Sequence, residues 1–203
     1  NTSVTLMPTV VDLRRYNRIK TVKEKGDSFQ IGWIGSPSTA IYLDVIGPAL
    51  EVFCRNKSDV RVVLIGAGNA HPLKKYEIPL ELLPWREETE IDDLLAFDVG
   101  VMPLSDDPWT RGKCGFKLIQ YMACGLPVVG SPVGVNGEII SNEENGYLAV
   151  DRDEWVRAFE KLYADCELRK KMGASGRIRV EEQYSLEVTA ERFIAGLRSA
   201  ACS

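Results

Sequence analysis

Short apolar runs alternate with helix-like patterns along most of this chain. Five mainly apolar runs, each ending in turn residues or charges, predict strands at 29–34, 60–65, 80–83, 99–104 and 127–130. Apolar spacing between them predicts helices from Pro37 to about Arg55, at 89–96, at 116–124 and near 137–141. Continuous apolar strands separated by helices are typical of a parallel sheet covered on both faces. We therefore predict an α/β domain with a Rossmann-like, doubly wound sheet.

The two ends of the chain differ from this middle part. After Val150 the apolar residues recur only at helical spacing, and they predict a helix around Trp155 and two more at 167–183 and from Leu186 to the end. At the start, a strand-prone run at 3–7 is followed by a basic stretch at 14–27. We interpret residues 1–28 as an interdomain segment and linker, and residues 29–203 as a Rossmann-like domain with a helical tail.

Length and composition indicate one globular domain. The 203 residues are 45% hydrophobic and 27% charged, which suits a single α/β domain and is short for two of ordinary size. No apolar run approaches the roughly 20 residues of a membrane span. The chain starts at Asn1 without an initiator Met, which suggests a fragment.

Charge and cysteine usage exclude several classes of protein. The net charge is -4, and its 25 basic and 29 acidic residues are mixed, so we expect no nucleic-acid partner. Five cysteines without C-x-x-C spacing and a single histidine favour neither a disulfide framework nor a zinc site. We therefore expect reduced thiols, no bound metal and a cytoplasmic location.

The strongest chemical signal is a glycine-containing loop that runs into the helix predicted at 116–124. Arg111, Lys113 and Lys117 lie in the loop and the first helical turn. Exposed N–H groups and the positive end of the helix dipole favour an anion at such a helix start, and a diphosphate suits the charge. The same three side chains could instead be ordinary solvated charges.

Four segments carry a resemblance to a known family. They are M-A-C-G-L-P-V-V at 122–129, S-P-V-G-V-N-G-E-I-I at 131–140, N-G-Y-L at 145–148 and M-P-T-V-V-D at 7–12. In this order they resemble the C-terminal, donor-binding domain of retaining GT-B glycosyltransferases of family 4, the glycosyl transferases group 1. The likeness extends along nearly the whole chain, so no single short match has to support it.

The resemblance implies sugar transfer from a UDP-, GDP- or ADP-sugar, with retention of configuration and without a metal ion or other cofactor. The implied partner is an N-terminal GT-B domain that carries the acceptor site, and any attachment to a membrane surface is expected to belong to that domain. By the same resemblance, the donor diphosphate would contact Arg111, Lys113, Lys117 and the backbone at Phe116.

Two departures from the family pattern affect the expected site. The family's paired glutamates, with seven residues between them, fall on Gly112 and Gln120. An amide at Gln120 can still bind the ribose hydroxyls, whereas Gly112 cannot reach the donor sugar through a side chain. Asp106 or Asp107 could contact the sugar instead, or could simply serve the turn. The first loop, 35–41, lacks the cation that the family often carries there.

Three further residues complete the sequence-based hypotheses. Trp85 follows the third predicted strand, where it could contact the base or only pack at the rim of the site. We predict His71 as an exposed loop residue, and Cys114 as a thiol beside the phosphate loop with undetermined reactivity. Two other functions stay open, a nucleotide-sugar epimerase of GT-B architecture and a non-catalytic binding protein derived from the transferase fold.

Overall fold

The computed structural model describes residues 4, 6–20 and 28–201 of the chain. Of the strand-prone run at 3–7, residues 4, 6 and 7 are described, and they have no regular secondary structure. The part of the predicted linker at 21–27 lies outside the described residues. Within the described ranges, no helix is long and apolar enough to cross a membrane.

One parallel sheet of six strands forms the centre of the fold. The strands are β1 (Phe29–Ile34), β2 (Val60–Ile65), β3 (Leu80–Leu83), β4 (Val99–Met102), β5 (Val128–Gly130) and β6 (Gly146–Leu148). Their order across the sheet is β3-β2-β1-β4-β5-β6, and every neighbouring pair is parallel. The predicted Rossmann-like sheet is confirmed, and β6 is a strand that the sequence pattern missed.

Eight α-helices accompany the sheet in the described part of the chain. They are α1 (Gly47–Cys54), α2 (Glu90–Leu95), α3 (Pro108–Arg111), α4 (Phe116–Ala123), α5 (Asn136–Ile139), α6 (Arg152–Ala164), α7 (Cys166–Gln183) and α8 (Leu186–Ala201). The single helix predicted from Pro37 to Arg55 is wrong in its first half, where a 3₁₀ helix spans Ala40–Val45. Because Pro48 has no N–H to continue the hydrogen bonds of that turn, it starts a new helix instead.

Apolar side chains fill both faces of the sheet. One cluster lies under α1 and α6 and includes Phe53, Trp155 and Phe159, all with 0% exposure. The other surrounds α4 and includes Val11 and Tyr16 from the segment that precedes β1. The Val11 N–H donates to the Tyr184 carbonyl at 3.0 Å, so this early segment is fixed against the end of α7.

The strand order determines where the loops can form a site. The chain moves outward from β1 through β2 to β3, then crosses to β4 on the other side of β1. At such a reversal the loops after the two central strands diverge and leave a crevice at their carboxyl ends. In this fold the crevice lies between the ends of β1 and β4.

Candidate functional site

A cleft of about 520 Å³ occupies the crevice at the ends of β1 and β4. Ile34 and Gly35 line it from the β1 side, and Met102 lines it from β4. Six residues that the sequence pointed to also line it, namely Trp85, Gly112, Lys113, Phe116, Lys117 and Gln120. The structure therefore brings most of the predicted site residues to one place.

The Tyr121 hydroxyl separates the two central strands directly below this cleft. β1 and β4 pair only at Ile31 with Val99 and at Gly32 with Gly100. Beyond that point the Tyr121 hydroxyl accepts from the Ile34 N–H at 3.0 Å and donates to the Val101 carbonyl at 3.4 Å. The hydroxyl thus replaces a direct bond between the strands and holds their ends apart.

Helix α4 begins at the cleft with its first N–H groups uncapped. Gly115 at the N-cap has a φ of 70° and makes no side-chain cap hydrogen bond. A Cβ there would come within 2.2 Å of Ile139, so both the backbone angle and the space require glycine. The N–H groups of Phe116 and Lys117, the first two of the helix, are available to an anion in the cleft.

Lys117 is the cation best placed to join those N–H groups. Its side chain is partly buried, its Nζ lies 5.5 Å from the centre of the Trp33 ring, and no carboxylate among the described residues pairs with it. Burial, together with the positive charge of Lys113, lowers the pKa of Lys117 to about 8. An anion that binds beside a partly buried lysine stabilises the charged form of its side chain.

Arg111, Asp106 and Asp107 lie outside the lining of the cleft. The Arg111 guanidinium makes two hydrogen bonds to Asp106, at 2.7 and 3.0 Å. Asp107 caps α3, because its Oδ1 accepts from the backbone N–H groups of Trp109 and Thr110, both at 2.9 Å. In this structure both carboxylates serve the turn, and the roles in donor binding inferred for these three residues stay predictions.

Glu90 lines the cleft and is a residue that sequence reasoning missed. Its side chain is buried, and its Oε2 accepts from the Trp85 indole N–H at 2.7 Å. Its Oε1 accepts from the Tyr16 hydroxyl at 3.2 Å and from the Gln120 amide nitrogen at 3.4 Å. The only signal in the sequence was an acidic residue in the first turn of a predicted helix, where it stabilises the helix dipole.

Trp85 and Cys114 line the cleft, whereas His71 does not. Trp85 is 52% exposed at the cleft although its indole N–H donates to Glu90. Cys114 is exposed and lines the cleft. The prediction that His71 is exposed is wrong, because the 3₁₀ helix Pro72–Lys75 inserts Leu73 into the core and draws His71 inside, leaving it 5% exposed.

The described residues contain no group of three or more His, Cys, Asp or Glu side chains that could hold a metal ion. The positive groups that line the cleft among the described residues are the side chains of Lys113 and Lys117 and the start of α4. Their arrangement suits a ligand that carries negative charge at this end. Trp85 and Gln120 line the same cleft and add a flat apolar surface and an amide.

Comparisons with known proteins show the family and the fold to which the chain is similar. A family model described as glycosyl transferases group 1 matches residues 29–165. The N-acetyl-alpha-D-glucosaminyl L-malate synthase of Bacillus anthracis is 28% identical over 142 residues, which are 66% of this chain and 36% of that protein. The Anabaena HepE protein, solved with UDP and glucose, matches with a TM-score of 0.74 and 15% identity over 96% of this chain and 56% of its own.

A separately solved domain is also similar along almost its whole length. The C-terminal domain of a glycosyl transferase group 1 family protein from Francisella tularensis matches with a TM-score of 0.62 and 18% identity, over 89% of this chain and 96% of that domain. The chain itself spans only 36 to 37% of the length of the first curated relatives. Its size and fold are those of the C-terminal half of a GT-B protein, as the resemblance implied, and the chain belongs to the glycosyl transferases group 1 family.

Proposed function

We propose that this chain binds the nucleotide-sugar donor of a retaining glycosyltransferase in the cleft between β1 and β4. The observation that carries the proposal is Lys117, a partly buried cation without a carboxylate partner among the described residues, beside the uncapped start of α4. Such a pairing of fixed positive charge with unsatisfied N–H groups is suited to a phosphate. The HepE protein, with a similar fold, has been solved with UDP and glucose, which supports a nucleotide ligand.

The donor diphosphate would lie against the start of α4. Lys117 and Lys113 would supply positive charge, and the N–H groups of Phe116 and Lys117 would donate to the phosphate oxygens. Arg111 would have to leave Asp106, to which it is bonded at 2.7 Å, before it could join them. Its contribution should therefore be smaller than that of Lys117.

The nucleoside would extend from the diphosphate towards Glu90. Gln120 lines the cleft, is more buried than Phe116 at the start of α4, and can accept from ribose hydroxyls through its amide oxygen. Trp85 is held at the edge by its bond to Glu90, and its exposed ring can stack on a base. This order places phosphate, ribose and base along one continuous surface.

The same charges would assist the reaction. When the bond between the sugar C1 and the diphosphate oxygen breaks, the electron pair stays on that oxygen and adds negative charge to the leaving nucleotide. In the proposed binding mode Lys117 and the α4 N–H groups would face that oxygen, so they would stabilise the developing charge without reorganising. We place the acceptor in the N-terminal domain of the whole protein. Its hydroxyl would attack C1 from the face that the nucleotide leaves, and its proton would pass to the departing diphosphate.

Calorimetric titration of the chain with UDP, GDP and ADP tests the proposal. We expect one nucleotide to bind best and Lys117→Ala to weaken that binding roughly ten- to hundredfold, the effect of losing one charge-assisted contact. Arg111→Ala is the matched control, since it removes a cation already neutralised by Asp106, and it should change the affinity less. The proposal fails if no nucleotide binds at millimolar concentration, or if both substitutions act alike.

A further inference from the structure

Glu90 is a buried carboxylate whose partners all belong to the wall of the cleft or to the segment that precedes β1. It lies in the first turn of α2 and is 7% exposed. Its two oxygens together accept hydrogen bonds from Trp85, Tyr16 and Gln120. A buried carboxylate is stable only when such donors satisfy it, so its charge dictates the orientation of the groups around it.

The Gln120 amide is the group whose orientation matters most for a ligand. Its nitrogen donates to the Tyr16 hydroxyl at 3.0 Å and to Glu90 Oε1 at 3.4 Å. Its carbonyl oxygen makes no hydrogen bond with the described residues. This oxygen is also not completely buried. Gln120 is 5% exposed and lines the cleft, so its carbonyl oxygen can be reached only through a small opening, and that opening is towards the cleft.

The reversed amide would be unfavourable for two reasons. It would point the carbonyl oxygen of Gln120 at the negative Glu90 Oε1. It would also remove one of the two hydrogen bonds that Glu90 Oε1 accepts. Burial raises the pKa of Tyr16 well above its ordinary value, so the phenol stays protonated and its one hydrogen remains committed to Glu90. Only one orientation of the amide satisfies all three groups.

We propose that Glu90 is a positioning residue that fixes the Gln120 amide with its carbonyl oxygen towards the cleft, so that residue 120 accepts a hydrogen bond from a donor ribose hydroxyl. This inference rests on the proposed nucleotide site. Gln120 then accepts the hydrogen bond that a glutamate at this position would accept in the family. The negative charge is carried by Glu90, which lies behind Gln120. A carboxylate at position 120 would be incompatible with this arrangement, because it would face Glu90 across the 3.4 Å that now separates the two side chains.

Three variants separate this positioning role from a merely structural one. They are Glu90→Gln, Gln120→Glu and the double variant that exchanges the two side chains. For each, calorimetry measures the affinity for the nucleoside diphosphate that the unaltered chain binds best among UDP, GDP and ADP. The same titration with the 2′,3′-dideoxy counterpart gives the preference for the ribose hydroxyls as a ratio of two affinities.

The expected pattern is specific to a control of orientation. The unaltered chain should prefer the ribose form by about tenfold, and Glu90→Gln should lower that preference to about twofold or less, because a glutamine no longer dictates the direction of the amide. The affinity for the dideoxy form should change little, since the amide oxygen at position 90 can still accept from Trp85. Gln120→Glu should weaken binding at least about tenfold through repulsion between two carboxylates.

The double variant decides the question. With glutamine at 90 donating to glutamate at 120, the ribose preference should return to within about threefold of its original value. The proposal is overturned if the double variant is no better than the worse single variant, or if Glu90→Gln leaves the ribose preference unchanged. If Glu90 had only a structural role, the losses of affinity in the two single variants would add up in the double variant. The preference for the ribose form would then not recover.

A measurement without nucleotide distinguishes failure of this inference from failure of the proposed function. In ¹⁵N spectra of the ligand-free chain, both side-chain amide protons of Gln120 should be shifted by hydrogen bonding and should exchange slowly, and Glu90→Gln should remove both effects. If the protons behave this way but no nucleotide binds, the proposed function fails and the ribose role fails with it. If they resemble those of an exposed amide, Glu90 does not hold Gln120 and the inference fails whatever binds.

Discussion

The Lys117 side chain lies across Gly35, with its Cε only 2.8 Å from the position that a Cβ on Gly35 would occupy. Gly35 is the first residue after β1, in the loop that lacks the cation often found in the family. A lysine from α4 therefore lies beside the first residue of the loop that itself has no cation at 35–41. Because Gly35 has no side chain, it leaves room for the Lys117 side chain on this path.

Gly35→Ala should accordingly weaken nucleotide binding. The new methyl group would meet Lys117 at 2.8 Å and the buried Trp33 ring at 2.7 Å, and the flexible lysine is the side chain that can move away. We expect a clear loss of affinity in calorimetry and a loss of about 1 to 3 kcal/mol in the free energy of unfolding, as for other overpacked sites. Gly137→Ala is the control, because a Cβ there meets nothing within 4 Å. Unchanged affinity in Gly35→Ala would contradict the assigned path of Lys117.

The pKa of Lys117 predicts how nucleotide binding depends on pH. Burial and the charge of Lys113 lower this pKa to about 8, so the free side chain loses its proton as the pH rises through that value. A bound diphosphate favours the charged form, so binding takes up a proton at high pH and the affinity falls. Between about pH 7 and 9 we expect a decrease of about tenfold, measured by calorimetry in buffers with different ionisation enthalpies.

Substitution by arginine isolates the contribution of Lys117. A guanidinium stays charged throughout this range, so Lys117→Arg should bind with little dependence on pH. Lys113→Arg is the matched control, because it keeps the positive charge nearby and leaves Lys117 to titrate. If Lys117→Arg and Lys113→Arg show the same pH profile, another group causes the dependence.

Most of the sheet could be predicted from the sequence because β1, β2, β4 and β5 are largely buried on both faces and are made up mainly of apolar residues. β6 could not, since its first residue is Gly146, which leaves only Tyr147 and Leu148 to form an apolar pattern. Helix α3 also went unpredicted, although Asp107 followed by Pro108 is a recognisable helix start. In that case the signal was present, and the four-residue length made it easy to miss.

The site was predictable only where it is local in the chain. Lys113, Phe116, Lys117 and Gln120 lie within eight residues of one another, and the loop with its following helix indicated an anion site directly. Glu90 and Tyr16 come from other elements, and they meet Gln120 only because α2, α4 and the segment before β1 pack together. No local pattern records that meeting, so the sequence could suggest Gln120 as a ribose ligand but could not predict which side chains hold its amide.

His71 predicts a dependence of folding stability on pH. Burial lowers its pKa below the ordinary value, with a further contribution from Lys74, so the folded chain keeps it neutral. The unfolded chain binds a proton there below about pH 6.5, and stability is therefore lost as the pH falls from that value towards the lower pKa of the folded state. The loss is at most about 1.4 kcal/mol per pH unit.

Urea unfolding of the chain and of His71→Gln between about pH 7.5 and 5.5 measures this effect. His71 is the one histidine of the chain, so no other residue of its type titrates in the range. The stability of the unaltered chain should fall more steeply than that of the variant, in which residue 71 cannot charge. Parallel curves would mean that His71 is protonated as easily when folded as when unfolded.

Tyr121→Phe should show how much the site depends on the separation of β1 and β4. The substitution keeps the buried ring but removes the acceptor of the Ile34 N–H and the donor to the Val101 carbonyl. A buried N–H without a partner costs about 1 to 3 kcal/mol, so the free energy of unfolding in urea should fall by that amount. Nucleotide affinity should fall as well, because Ile34 forms part of the cleft.

Tyr163→Phe is the control, because it removes a hydroxyl whose hydrogen bonds to Asp59 are exposed. It should lower the free energy of unfolding by less than about 0.5 kcal/mol. If the two variants lose equal stability, the Tyr121 hydroxyl does not hold the strand ends, and the shape of the cleft must be set by the loops alone.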